Sequence, residues 1–352
     1  MADDTPRTHT WRRREQAPPE PEAPAGRITV DVPPGDAPDP AVLADRVRAA
    51  LAGWPVVILR AVGTLNGKGR PGAWKGNWLR SQIGELVDRT LSRDAAHAVL
   101  GAHQPGRVVG GAWAPIAIRT SPLGDERIAP NGTVRIEIVL HGRAAHASGE
   151  LVYALLNPAG GLADEPGFVR WNTVQHLLCD EDGDPRWKKA QPSVAAPLVP
   201  LDRITEPNVR SRRVMVTFQS PTAIARRGED GEPWPEFTVL TDRIGRTLST
   251  LLKRSKHAGP RLPDDDLVRA AAGARLVANH TRIIQVPAHL VGSEPPRFDR
   301  RGPPPPDERV ASLLGSATFS GDFTGLQPLL RAASWIGMGP GRQNGLGEIN
   351  VR

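Results

Sequence analysis

The stretch Gly337-Met338-Gly339-Pro340-Gly341-Arg342-Gln343-Asn344-Gly345-Leu346-Gly347 decides how this chain is read. Glycine at this density lets the backbone take left-handed turns and approach a ligand closely. Exposed amides in such a segment bind phosphate oxygens, and Arg342, Gln343 and Asn344 add side-chain donors. Gly337, Gly339, Gly341, Gly345 and Gly347 with those three side chains are therefore a candidate nucleic-acid clamp. A long connection between two elements would use the same residues with no ligand. A nucleotide P-loop is excluded, because no Gly-Lys-Ser/Thr follows and the segment precedes a strand.

Outward from the loop, Leu326 to Ile336 has helical spacing, and Glu348 to Val351 reads as a final strand. Thr324 and Gln327 are spaced as a capping box at the start of that helix. Further upstream, Arg212 to Ser220 alternates like a strand. Phe237 to Lys256 carries Leu240, Ile244, Leu248, Leu251 and Leu252 at helical steps with a basic end. Arg282 to Val286 and Leu313 to Ser320 complete the set of strand candidates. The first half follows the same order. Val56 to Leu59 is a short β-branched run, Asn77 to Leu91 an amphipathic helix, Pro115 to Arg119 and Val134 to Leu140 strands, and Ala147 to Leu156 a helix. Strand, helix, strand pair and helix, given twice, predict an α+β protein of two tandem ferredoxin-like domains. In the first, the sheet face turned away from the helices is expected to be free for RNA.

The predicted organisation is a disordered arm over 1–26, a first domain over 27–180, a linker over 181–208 and a second domain over 209–352. The arm is Pro-, Glu- and Arg-rich without periodicity, and the linker is acidic and then proline-spaced. A chain of 352 residues fits two domains. Lys plus Arg exceed Asp plus Glu by 45 to 38, giving +7, which favours a polyanionic partner. Only six of the basic residues are Lys; Arg suits phosphate, although a GC-rich genome gives the same bias. Cys179 is the single cysteine, which excludes an internal disulfide and a cysteine zinc site. The absence of a long apolar run and of a secretion signal predicts a cytoplasmic protein without a membrane partner.

Several segments together resemble the CRISPR precursor-RNA processing endoribonucleases of the RAMP superfamily. They are Gly315-Ser-Ala-Thr-Phe-Ser-Gly-Asp-Phe, Leu329-Leu330, Ile336-Gly-Met-Gly and Asn344-Gly-Leu-Gly. Phe218-Gln-Ser-Pro-Thr222, Pro235-Glu-Phe and Asp242-Arg-Ile-Gly-Arg246 add a second match, and 72–84 and 128–142 weaker ones. The resemblance implies RNA held across two ferredoxin-like domains, with repeat RNA or crRNA and other effector-complex subunits as partners. It further implies cleavage without metal or cofactor, in which a 2′-hydroxyl attacks the adjacent phosphate to leave a cyclic phosphate and a 5′-hydroxyl. A catalytically inactive subunit that binds guide RNA would carry the same signature.

Family members commonly place a catalytic histidine on or near the first helix of the first domain. Residues 60–91 contain no histidine. The expected general base is therefore His97 or His103, shortly after that helix, with Lys68, Arg70 or Lys75 serving the phosphate. Arg226 and Arg227, after the Ser-Pro-Thr strand end, are expected to touch RNA. His141, His146 and His257 are read as structural or RNA-contacting.

Overall fold

The computed structural model describes residues 21–67, 75–100, 115–120, 128–204, 212–225, 231–291 and 308–352. Lys68, Arg70, His103, Arg226 and Arg227 lie outside these residues, as does most of the arm. In chain order the elements of the first half are α1 (Pro40–Leu51), β1 (Val56–Leu65), α2 (Lys75–Thr90), α3 (Arg93–Leu100), β2 (Ile116–Arg119) and β3 (Thr133–His141). There follow α4 (Arg143–His146), α5 (Ser148–Leu156), β4 (Val169–Cys179) and β5 (Pro185–Lys189). The second half holds β6 (Arg213–Thr222), α6 (Phe237–Arg254), α7 (Asp264–Ala271), β7 (Arg275–Pro287), α8 (Ala288–Val291), β8 (Arg309–Ser320), α9 (Gln327–Ile336) and β9 (Ile349–Val351).

The two sheets have the orders β2-β3-β1-β4-β5 and β7-β8-β6-β9, antiparallel throughout. Leaving aside the extra edge strand β5, each is the ferredoxin-like arrangement, so the predicted fold stands. Alternation along β1 explains the layering. Val57, Leu59 and Ala61 face α2, α3 and α5 in the first core, whereas Val56 and Ile58 point the other way.

That other face is not free. Val56, Ile58, Ala117, Val139 and Leu177 join one continuous core with Leu248 and Leu251 of α6 and with Phe319 and Leu330. The second domain covers this half of the first sheet, because its residues are too apolar to be left in water. The other half is polar, with Arg60, Glu137 and Arg135.

Four further expectations are revised. The acidic turn of the supposed linker is a hairpin: the Asp184 amide donates to Asp180 Oδ1 at 2.8 Å, Gly183 takes φ 85°, and β5 pairs back on β4. Asx-turn chemistry, not a break in structure, accounts for the acids there. Residues 27–51 lie against the second domain rather than the first. Arg27 Nε sits 3.0 Å from Glu236 Oε2, Arg46 pairs with Asp266, and α1 packs on α7 and α9. The helix α1 itself is well set, with Pro40 in its first turn and Asp39 Oδ1 accepting from the Ala41 and Val42 amides at 2.8 and 3.1 Å. The capping box at Thr324 and Gln327 is absent. Asp322 Oδ1 accepts from the Thr324 amide at 2.9 Å, and the Gln327 side chain reaches forward to Arg331. Finally, α3, β4 and α7 were not legible as elements; α7 carries three aspartates in its first turn, where the helix dipole favours them.

Candidate nucleic-acid interface

The glycine-rich loop runs from α9 to β9 and is pressed into the seam between the domains. Gly337, Gly339, Gly341, Gly345 and Gly347 all take left-handed φ between 69° and 83°. The glycines serve close packing as much as turning. A methyl on Gly347 would stand 1.9 Å from Met338 O, one on Gly341 2.8 Å from Leu290 O, and one on Gly76 of α2 2.4 Å from Asn344 O. The loop is thus closed on itself, seated on α8 of its own domain and on α2 of the other. Its backbone is tied down by the Gly339 amide donating to Thr247 Oγ1 at 2.9 Å and the Gly347 amide donating to Pro221 O at 3.0 Å.

All five glycines are buried, so the expected picture of an exposed cradle of amides is corrected. The donors Arg342 and Asn344 are also spent within the protein. Arg342 is 2% exposed and donates to Ile336 O at 3.1 Å, closing the last turn of α9. Asn344 works in both directions: its Oδ1 accepts from Arg80 of α2 at 3.0 Å and its Nδ2 donates to Leu290 O at 2.7 Å. One amide side chain therefore joins the two domains. Burial lowers both Arg80 and Arg342 to about 10, since a desolvated guanidinium holds its proton less tightly. The Gln343 side chain lies outside the described residues.

A second tie runs beside the first. Glu348, next to the loop, is 3.5 Å from Arg119 and its Oε2 accepts from the Thr120 amide at 3.2 Å. Arg119 also reaches Glu137 at 3.2 Å, and Glu137 binds Arg60 at 2.8 Å. The Arg60 guanidinium lies 3.6 Å over Trp187 of β5. This row of alternating charge crosses from the second domain along the polar half of the first sheet. Sequence reasoning missed Arg80, Arg119 and Glu348. Arg60 carried a signal, a lone charge in an apolar strand.

The histidines are placed unequally. His97 is exposed on α3, which packs on α4 and α5. That is the end of the first domain where β3 finishes at His141, whereas the loop touches α2 at Gly76. The intervening helix from Gly76 to Thr90 is about 21 Å long. His97 is therefore not brought together with the loop. Lys75 opens α2 beside it and is half-buried. His141 is buried, 3.3 Å from Ser255 Oγ and tilted on Trp54, and belongs to the domain contact. His146 is exposed on α4 and His257 half-buried after α6.

Residues 216–349, from β6 into β9, match the family described as CRISPR-associated endoribonuclease Cas6. Over this stretch the chain is similar to the Cas6 family. The matched span includes the loop, Asn344, Glu348, the strands β7 and β8 and most of β6. Among solved structures, the Cas6 of Thermus thermophilus is 14% identical, over 86% of this chain and 100% of its own, with a TM-score of 0.51. A partial Cas6-RT-Cas1–Cas2 complex is 12% identical, over 86% of this chain and 46% of its own, with a TM-score of 0.54. At such identities the likeness is one of fold, and it extends through both ferredoxin-like domains. No curated protein sequence matches the chain.

Proposed function

We propose that this protein is a member of the Cas6 family that binds CRISPR repeat RNA and cleaves the precursor transcript beside the domain seam. The observation that carries the reading is the family match over residues 216–349, which spans the loop and the part of its seat that lies in the second domain. The chemistry proposed is metal-independent attack of a 2′-hydroxyl on the adjacent phosphate, giving a cyclic phosphate and a 5′-hydroxyl. A base removes the 2′-proton, an acid protonates the leaving oxygen, and cations stabilise the phosphorane. The processed crRNA and other CRISPR complex subunits are the proposed partners. This accords with a solved relative that sits in a Cas6-RT-Cas1–Cas2 assembly.

His103 is the preferred general base. Segment 101–114 joins α3 to β2, the strand whose end meets Glu348 at the seam. Lys75, the first residue of α2, and Lys68, seven residues before it in sequence, are proposed to serve the phosphate. The buried loop supports RNA binding by fixing the two domains as one surface. The test is incubation of the protein with its own repeat RNA in EDTA. Cyclic-phosphate product is expected from wild type and from His97→Ala, and its loss from His103→Ala. Intact RNA with wild type at high protein concentration would sink the cleavage claim.

A second reading, a non-cleaving subunit that binds guide RNA, is favoured by the lack of histidine over residues 60–91. Tight repeat binding with no product in the same assay supports it.

A further inference from the structure

The four strands of the second sheet contain no Asp or Glu. Their acidic counterparts lie on the other side, in α6 and α7, which carry Asp242 and Asp264 to Asp266. Val214, Val216, Phe218, Phe319 and Val351 point into the core beneath those helices. The opposite face follows from the register. Arg213 pairs with Ser320 and Ser320 with Arg275; Met215 pairs with Thr318 and, through mutual backbone bonds, with Arg352. Thr217 pairs with Asn350 and with Ser316, which faces His280, and Arg282 follows two residues along β7. Directly opposed residues share a face, so this face is small and polar at its centre and basic at its margins.

Arg213, Arg275, Arg282, Arg352 and His280 are exposed, and none of the four arginines forms an ion pair among the described residues. No carboxylate stands among them on these strands, so the face carries a positive potential that attracts a polyanion. Towards the far end of β7 the same face meets the loop, where Val286, Leu290 and Leu346 form a small cluster with Ile284 and Val310. The track from Ser320 to Leu314 on the central strand is about 20 Å long. Its centre holds no aromatic ring on which bases would stack, so contacts are with the sugar–phosphate backbone.

We infer that the outer face of the second sheet is a binding track for a single-stranded stretch of RNA leading to or from the seam. The phosphates lie on Arg213, Arg275, Arg282 and Arg352, and Thr217, Ser316, Thr318 and Asn350 serve the riboses. This deepens the RNA reading given above and rests on it. It assigns sequence-independent grip to the sheet, while the loop holds the domains together.

The test uses the full chain and two fluorescein-labelled RNAs in EDTA, the repeat hairpin alone and the same hairpin with a single-stranded flank. Binding is measured by anisotropy over a series of KCl concentrations. The variants are Arg213→Gln, Arg275→Gln and Arg352→Gln, singly and together, with the triple Lys variant as the charge-retaining control. For the flanked RNA, the triple Gln variant is expected to bind at least tenfold more weakly. Its salt slope should be shallower by about 2, since each single-strand phosphate contact contributes about 0.7. The bare hairpin should lose less, the Lys variant should recover most of the affinity, and thermal melting should be unchanged because these side chains are exposed. Wild-type slope and affinity in the triple Gln variant would overturn the track alone. Failure of the wild type to bind either RNA would overturn both the track and the RNA reading beneath it.

Discussion

Gly76 on α2 and Gly345 in the C-terminal loop meet back to back across the domain seam. A methyl added to Gly76 would stand 2.6 Å from Gly345 Cα, and one added to Gly345 2.8 Å from Gly76 Cα. Neither backbone can retreat, because α2 is held by the first core and the loop by Thr247, Pro221 and Leu290. Gly76→Ala should destabilise the protein by about 1–3 kcal/mol, as overpacking does. Gly345→Ala adds the strain of a left-handed residue, about 1–2 kcal/mol, to the same clash. Urea denaturation read by tryptophan fluorescence checks both, with Gly84→Ala, which has open space in the same helix and should stabilise by up to about 1 kcal/mol, as the clash-free control.

Arg80 and Asn344 should behave as one unit. Arg80→Met leaves Asn344 Oδ1 without its donor, and Asn344→Ala leaves both Arg80 and Leu290 O short of a partner. Each single change is expected to cost about 1–3 kcal/mol. The double variant should fall short of the sum by about 1 kcal/mol, as coupled contacts do. Additive losses in a urea double-mutant cycle would show that the pair is not coupled.

Glu348 and Glu137 both serve Arg119, but only Glu348 also receives the Thr120 amide and crosses the seam. Glu348→Ala should be the more damaging, at about 1–3 kcal/mol, because it strands the buried Thr120 amide, although Arg119 keeps Glu137. Glu137→Ala leaves Arg119 a carboxylate and should cost clearly less. Thermal melts of the two variants decide the order.

Burial, and then the charge of Lys188, hold the His176 pKa below its ordinary 6.5. The unfolded chain therefore binds more protons than the folded one as pH drops below 6.5, so stability falls with decreasing pH in that range. His176→Gln should flatten that part of the stability profile. An unchanged slope between pH 7 and pH 5 would assign the acid sensitivity to other groups.

Burial first, then Asp180 and Asp184, push the Cys179 thiol up to about 11. The thiolate is the reactive species, so folded protein should resist iodoacetamide at pH 8.5 and react promptly once unfolded in urea. Stability should decline as pH rises from about 9, where the unfolded thiol ionises, towards 11. Rapid labelling of the native protein would contradict this placement.

The elements that sequence made legible were those whose signal is local. The β-branched run at Val56, the helical spacing of α2, α6 and α9 and the alternation of β3 are each set by neighbours a few residues apart. The hairpin at Asp180 looked like a linker because an Asx turn and a solvated acidic segment share a composition. The strand β4 was missed because its burial alternates irregularly, with Gln175, His176 and Leu178 all half-buried.

By itself the sequence determined two ferredoxin-like units and the left-handed glycines before the last strand, since backbone freedom and apolar periodicity are properties of the chain. What those glycines are pressed against was decided only in three dimensions. Gly76 and Gly345 lie 269 residues apart, as their numbers show, and nothing local records that Arg80 would spend its charge on Asn344. The same holds for the acid-free face of the second sheet. No strand contributes more than two arginines, and Arg352 lies just past the last one; it is register that gathers Arg213, Arg275, Arg282 and Arg352 on one surface, opposite the helices that carry the acids.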